Sequence, residues 1–265
     1  MREKQSRALW VVILVLGLAV AGVCIGILAW LRSGETKVES QIESAVSSVE
    51  ESAPSGESEP EPPEVPIDFD YLKGINTDIY GWIELHATDQ GYPVLSNAAD
   101  PDYYLRRDIN GDYSVAGSIY TQSVYNHSDF SDPCTLIYGH HLKNGTMFGG
   151  IQSAIPDLNL DDAGDESNYF TLYTPEKSLT CRICAAGTFS DRHVLYFYDF
   201  TNEASFGQFF ADLASYPVGE HYASTDFTPA FGDQLVILST CYSTSYDHRY
   251  LIVGVVTEKD GVPTR

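Results

Sequence analysis

Basic side chains are scarce in this chain. Fifteen Lys and Arg stand against 37 Asp and Glu in 265 residues, for a formal net charge of -22. That shortage excludes a nucleic-acid binder, which needs a basic face to neutralise phosphates. Metal-site spacing is short as well: Cys181 and Cys184 form one C-x-x-C, with no second C-x-x-C and no H-x3-H to complete a site. On a strand, positions three apart face opposite ways, so these two thiols are expected as separate buried strand residues. No internal repeat is present. What remains, 43% hydrophobic and 12% aromatic, is ordinary for a packed domain, and the length allows one or two of them.

Long apolar runs are limited to one. From Ala8 to Leu31, 24 residues pass without a charge, enough to span about 30 Å of hydrocarbon with some tilt. Arg2, Lys4 and Arg7 precede it and a Glu-rich stretch follows, so residues 1–7 are expected in the cytoplasm and everything after Leu31 outside. A cleaved signal peptide has a shorter apolar region and a small-residue cleavage site, whereas this run ends in Ala29-Trp30-Leu31-Arg32. The expectation is an uncleaved, single-pass anchor in the cell membrane, with Cys24 buried in it and inert.

Residues 32–66 have no aromatic side chain. Ser33 to Pro66 holds nine Glu, eight Ser, five Pro and one Lys, too little apolar surface to offset the entropy of ordering. An extended, self-repelling acidic tether is expected. Residues 67–265 keep 27 acidic and 10 basic groups but have a normal folding composition.

In that part the pattern is short β runs separated by Gly, Pro, Asn and Asp. Strands are expected near Gly81–Leu85, Pro93–Ser96, Gly117–Thr121, Thr135–Gly139, Phe170–Tyr173, Leu179–Thr188, Gln234–Thr240 and Tyr250–Glu258. Eight strands, several of them β-branched, point to a mainly β fold, a closed barrel or a sandwich. Phe69, Leu72, Ile75 and Ile79 recur at helical spacing ahead of the first strand. Phe206, Phe209, Phe210 and Leu213 do so within Asn202–Tyr216, with Thr201 or Asn202 available as N-cap. This second helix lies in the long connection before the Gln234–Thr240 strand, the kind of connection that often carries binding. Met147–Ala154 is expected to add a short helical turn.

Two side chains capable of chemistry share an address. Cys241 ends the apolar run Leu235 to Thr240 where it opens into a polar segment, and His140 ends Thr135 to Gly139 in the same way. Arg249 begins the next strand. A nucleophilic thiol needs a base or imidazolium to supply thiolate and a donor for the oxyanion, and this trio contains both if the three strand ends meet. Cys134 reads as core. Asp108-x-Asn110-x-Asp112 resembles the start of a calcium loop, but Tyr113 replaces the needed Gly, so an ordinary turn is expected. Asp161, Asp162, Asp165 and Glu166 read as a solvated loop.

Leu238-Ser239-Thr240-Cys241 resembles the sortase signature, a Leu-x-Thr-Cys run that ends a strand at the nucleophile. Tyr138-Gly139-His140-His141-Leu142-Lys143-Asn144-Gly145-Thr146-Met147-Phe148 is similar to the stretch around the catalytic histidine of class B sortases. Tyr103-Tyr104-Leu105 and Gly117-Ser118-Ile119-Tyr120 resemble that class's earlier strands, and the His, Cys, Arg order is the family's. The resemblance runs from about Phe69 to the C-terminus.

It implies an eight-stranded β-barrel with an N-terminal helix and a helix in the loop before the nucleophile strand. It also implies a cysteine transpeptidase that needs no cofactor or metal. Cys241 would be the nucleophile, His140 the general acid and then base, and Arg249 the donor to the substrate carbonyl or oxyanion. Ser239, Thr240 and Tyr242 would line the substrate. Partners would be secreted proteins or pilins with a C-terminal sorting signal, and an amine of the peptidoglycan cross-bridge or its precursor. Two positions depart from the pattern. Tyr242 stands where class B members often carry an acid, and Arg249 follows Cys241 by eight positions, a shorter gap than the class pattern. His141 and His248 sit beside the assigned residues, and the family pattern favours His140, directly after Gly139. The alternatives are an extracellular cysteine hydrolase using the same thiol, and a surface binding module on a stalk with a structural Cys241.

Overall fold

The computed structural model describes residues 2–50, 65–241 and 247–264, with the side chains of 2–16, 19, 31, 48–50 and 241 left out. By their internal contacts the residues separate into two units, 1–44 and 45–265.

The first unit is most of one helix, α1 (Arg2–Glu50). The expected span 8–31 falls on it, and the side chains of 8–16, 19 and 31 lie outside the described residues. Among the described residues no helix is long and apolar enough to cross a membrane. The helix continues through Glu50, so the first half of the expected tether is helical. Counting composition missed a cue: Val38, Ile42 and Ala45 repeat at i, i+4 and i+7 between helix-favouring Glu residues. Residues 51–64 lie outside the described set.

After the last residues of α1, the second unit continues with α2 (Phe69–Ile75), capped by the Asp68 carboxylate, which accepts from the Tyr71 N–H at 2.8 Å. The strands and helices then run β1 (Ile79–Leu85), β2 (Gln90–Leu95), β3 (Ile119–Thr121), β4 (Cys134–Tyr138), α3 (Phe148–Ala154), β5 (Tyr169–Tyr173), β6 (Ser178–Ser190), α4 (Val194–Phe197), α5 (Glu203–Ser215), β7 (His221–Ala223), β8 (Leu235–Cys241), β9 (His248–Lys259) and β10 (Val262–Pro263). The sheet order β9-β8-β4-β3-β2-β1-β5-β6 closes through a β6–β9 ladder into an eight-stranded barrel, with β7 and β10 added on its edges. All eight expected strands are barrel strands.

Period-two alternation gives each strand an inner and an outer face. Inside, every barrel strand contributes, with Ile83, Val94, Ile119, Ile137, Phe170, Cys181, Leu238 and Ile252 among the residues. Outside, the wall formed by β4, β8, β9 and β6 is also apolar: Leu136, Ile237, Leu251, Val253 and Cys184 lie under Phe206, Phe209 and Leu213 of α5. Cys181 and Cys184 thus sit on opposite faces, as strand geometry requires. Asn202 caps α5 by accepting from the Ser205 N–H at 3.1 Å. This helix is a cover for the barrel wall rather than a free binding element, because its stripe is buried there.

Other expectations are corrected. Ile79 belongs to β1, not to the preceding helix, since Asn76 ends α2 in an extended conformation. Tyr103–Arg106 is a 3-10 turn rather than a strand; Leu105 N–H donates back to Asp102. Asp161 is no idle loop residue. Its carboxylate accepts from Ser224 Oγ (2.7 Å), Thr225 N (2.6 Å), Thr225 Oγ1 (2.8 Å) and Asp226 N (3.1 Å), clamping two loops. Asp108 is a turn former, receiving the N–H groups of Asn110 and Asp112.

Candidate active site

Three strand ends meet on the outer wall of the barrel. β4 and β8 run parallel, with Tyr138 paired to Ser239, and the Gly139 N–H donates to the Ser239 carbonyl at 3.0 Å. That bond extends the ladder one step and brings His140 level with the end of β8. Gly139 is required there: a Cβ would come within 2.6 Å of both Ile119 and Phe148. β8 and β9 run antiparallel, with Cys241 the Cα partner of Arg249.

At this junction lies a cleft of about 270 Å³. Leu136, Tyr138 and Leu251 give it an apolar floor continuous with the outer layer under α5. His140 and Arg249 line it, as do Ser239 and Thr240. The last two are almost fully buried, so they belong to the floor, and Thr240 Oγ1 has no hydrogen-bond partner among the described residues. Tyr242 lies outside the described residues, and of Cys241 the backbone alone is described.

The neighbouring histidines point elsewhere. His141 Nδ1 is 3.0 Å from Gln152 Oε1 on α3, and His248 packs edge-on against Tyr216, centroids 5.8 Å apart. His140 is half-buried, and its Nε2 lies 2.9 Å from the Leu105 carbonyl. Burial, chiefly, and the nearby guanidinium groups of Arg106 and Arg249 lower its pKa; the Leu105 bond opposes them. The ring is therefore neutral at neutral pH. Burial also holds the Tyr138 hydroxyl protonated.

One wall was not anticipated. Asp191, Arg192, His193 and Val194, where β6 passes into α4, face the cleft. His193 Nε2 donates to Gln122 Oε1 at 2.6 Å, Gln122 Nε2 donates to Asp102 Oδ1 at 2.6 Å, and the Tyr125 ring lies against the His193 ring, tilted by 31° with centroids 3.9 Å apart. The run of Asp, Arg and His just past a long apolar strand was a visible signal for this wall. The contribution of Leu105, made through its backbone carbonyl, had none.

No protein-family model matches the chain. Two curated relatives are named sortase B. That of Listeria monocytogenes is 37% identical over 81 residues, 31% of this chain and 32% of the relative. That of Staphylococcus aureus is 37% identical over 84 residues, 32% of this chain and 34% of the relative. The chain thus spans about a third of the length of the curated relatives it matches. Solved structures align over more of it. A Staphylococcus aureus sortase B–substrate complex has a TM-score of 0.61 at 22% identity, covering 88% of this chain and 97% of that one. A Bacillus anthracis protein described as similar to sortase B has a TM-score of 0.61 at 26% identity, covering 83% and 96%. A Clostridium perfringens sortase B variant has a TM-score of 0.60 at 25% identity, covering 72% and 87%. The barrel shared with these structures and the identity of the aligned segments make this chain similar to the class B sortases.

Proposed function

We propose that the chain is a membrane-anchored cysteine transpeptidase. It cuts a sorting signal near the C-terminus of an exported protein, after a Thr, and passes the acyl part to an amine of peptidoglycan or its precursor. The observation that carries this reading is one convergence: His140 and Arg249 line a single cleft, and Arg249 is the Cα partner of Cys241.

The chemistry follows from these positions. Neutral His140 takes the proton of the Cys241 thiol, and the sulfur attacks the carbonyl carbon that follows the Thr side chain. Arg249 donates to the oxygen that gains charge, its planar fork being suited to that task. The C–N bond breaks as His140 gives its proton to the leaving amine, which leaves a thioester. The incoming amine then attacks, its proton passes through His140 to the departing sulfur, and the thiol is regenerated. The apolar floor of Leu136, Tyr138 and Leu251 suits an extended peptide, and the relative from Staphylococcus aureus was solved with substrate. The span 8–31 would hold the enzyme at the membrane, with its catalytic unit outside.

The test uses the full chain in detergent, a panel of quenched pentapeptides, and an amine nucleophile present or absent, with intact mass recorded for wild type and Cys241→Ala. An acyl adduct that needs Cys241 and resolves faster with amine is expected. Cleavage indifferent to amine would move the assignment to a hydrolase. An adduct that survives Cys241→Ala would overturn it.

A further inference from the structure

One carbonyl holds the ring of His140. The Leu105 oxygen, 2.9 Å from Nε2, can only accept a hydrogen bond, so Nε2 carries the hydrogen. Nδ1 is left as the nitrogen that takes up and gives a proton, because the bond made by one ring nitrogen decides the role of the other. The direction of that carbonyl depends on the loop that carries it, and the loop is held from three sides.

Tyr104, 2% exposed, donates its hydroxyl to Asp78 Oδ2 at 2.7 Å and receives Asn76 Nδ2 at 2.8 Å. The Ser118 N–H donates to the Tyr104 carbonyl at 3.0 Å, and Ser118 Oγ donates to the Arg107 carbonyl at 2.9 Å. Between them Gly117 has φ +60°, where a Cβ would meet the Leu105 oxygen at 2.6 Å and the Tyr104 oxygen at 2.8 Å. That position admits only glycine without moving the carbonyl that His140 uses. Neither Tyr104 nor Gly117 lines the cleft.

We propose that Tyr104 and Gly117 are positioning residues for the transfer reaction: they fix the Leu105 carbonyl, and through it the tautomer and orientation of the His140 ring. The kinetic half of this proposal rests on the acid–base role given to His140 above; the tautomer half stands without it. A ring released from the carbonyl would turn among Arg106 and Arg249, with Asp102, Asp191, Arg192 and His193 lining the same cleft. Its proton affinity would then change along with its aim.

The experiment compares the full chain as wild type, Tyr104→Phe and Gly117→Ala. It reads the ¹⁵N shifts of the His140 ring, thermal unfolding, and kcat and KM for amine transfer against pH. Tyr104→Phe keeps the ring's packing, and the atoms it abandons keep partners: Asp78 still receives Asn97 Nδ2 at 2.8 Å and Asn76 still donates to the Ile109 carbonyl at 2.9 Å. This variant is therefore expected to fold. The expected result is an Nε2–H tautomer in wild type and a mixture in both variants. kcat should fall about ten- to hundredfold with KM little changed, a fraction of the ~10²–10⁴ that a positioned acid–base group supplies. Should Gly117→Ala unfold, Tyr104→Phe decides alone. A folded Tyr104→Phe protein with the wild-type tautomer and kcat overturns the proposal. A wild type without Cys241-dependent transfer removes the functional reading, while the ring shifts still test the clamp.

Discussion

Cys241 and Arg249 face each other across the β8–β9 ladder as direct Cα partners. Their separation of eight positions, short beside the family pattern, still ends with the two opposite one another, because the antiparallel register and not the count of residues sets the distance. If Arg249 serves the oxyanion, Arg249→Lys should keep the fold, since the residue is only half-buried, and lose about 10²–10³-fold in turnover. Single-turnover acylation and a melting curve check both halves. A Lys enzyme as fast as wild type would remove the role.

The His140 ring is held neutral first by burial and then by the charges of Arg106 and Arg249. Its pKa lies below the usual 6.5, so the acid limb of kcat/KM is expected below that value. Arg106→Ala removes a cation that disfavours the imidazolium, which raises the pKa and moves the limb to higher pH. A pH–rate profile matched to an NMR titration of His140 tests this; a limb that stays in place, or moves down, contradicts it.

Phe209 is fully buried between α5 and the barrel's outer wall, against Phe189, Tyr198 and Phe200. Phe209→Ala should cost about 3–5 kcal/mol, the range for deleting a core aromatic. Urea unfolding gives the figure, and a loss under ~1 kcal/mol would mean that the helix packs loosely.

Asp161 receives four hydrogen bonds from residues 224–226, and these hold its pKa well below the ordinary carboxylate range. A depressed folded-state pKa contributes stability above the unfolded value of ~3.9 that is lost as pH falls through the folded value. Asp161→Asn should therefore melt below wild type at neutral pH, and the gap should begin to narrow once the pH falls below about 4. Parallel melting curves across that range decide it; a constant gap would assign the effect to shape rather than charge.

Much of this protein was written locally. β-branched runs punctuated by Gly, Pro and Asp specify eight strands. A spacing of three and four among Phe206, Phe209, Phe210 and Leu213 specifies α5, with Asn202 as its cap. Local pattern also put His140, Cys241 and Arg249 at strand ends, because a polar residue closing an apolar run marks where a strand leaves the core. It misjudged the places where one residue continues a periodicity into a different element, as at Ile79, and where a helical stripe hides in acidic, Ser-rich composition, as in 33–50.

What only tertiary structure decided is which strand ends are neighbours. The parallel β4–β8 pairing joins segments a hundred residues apart, and no local propensity encodes a partner so distant. The same holds for the Leu105 carbonyl that fixes His140 and for the Asp191–Val194 wall. Backbone groups carry no sequence signature, so their use in a site depends on where the folded barrel carries them.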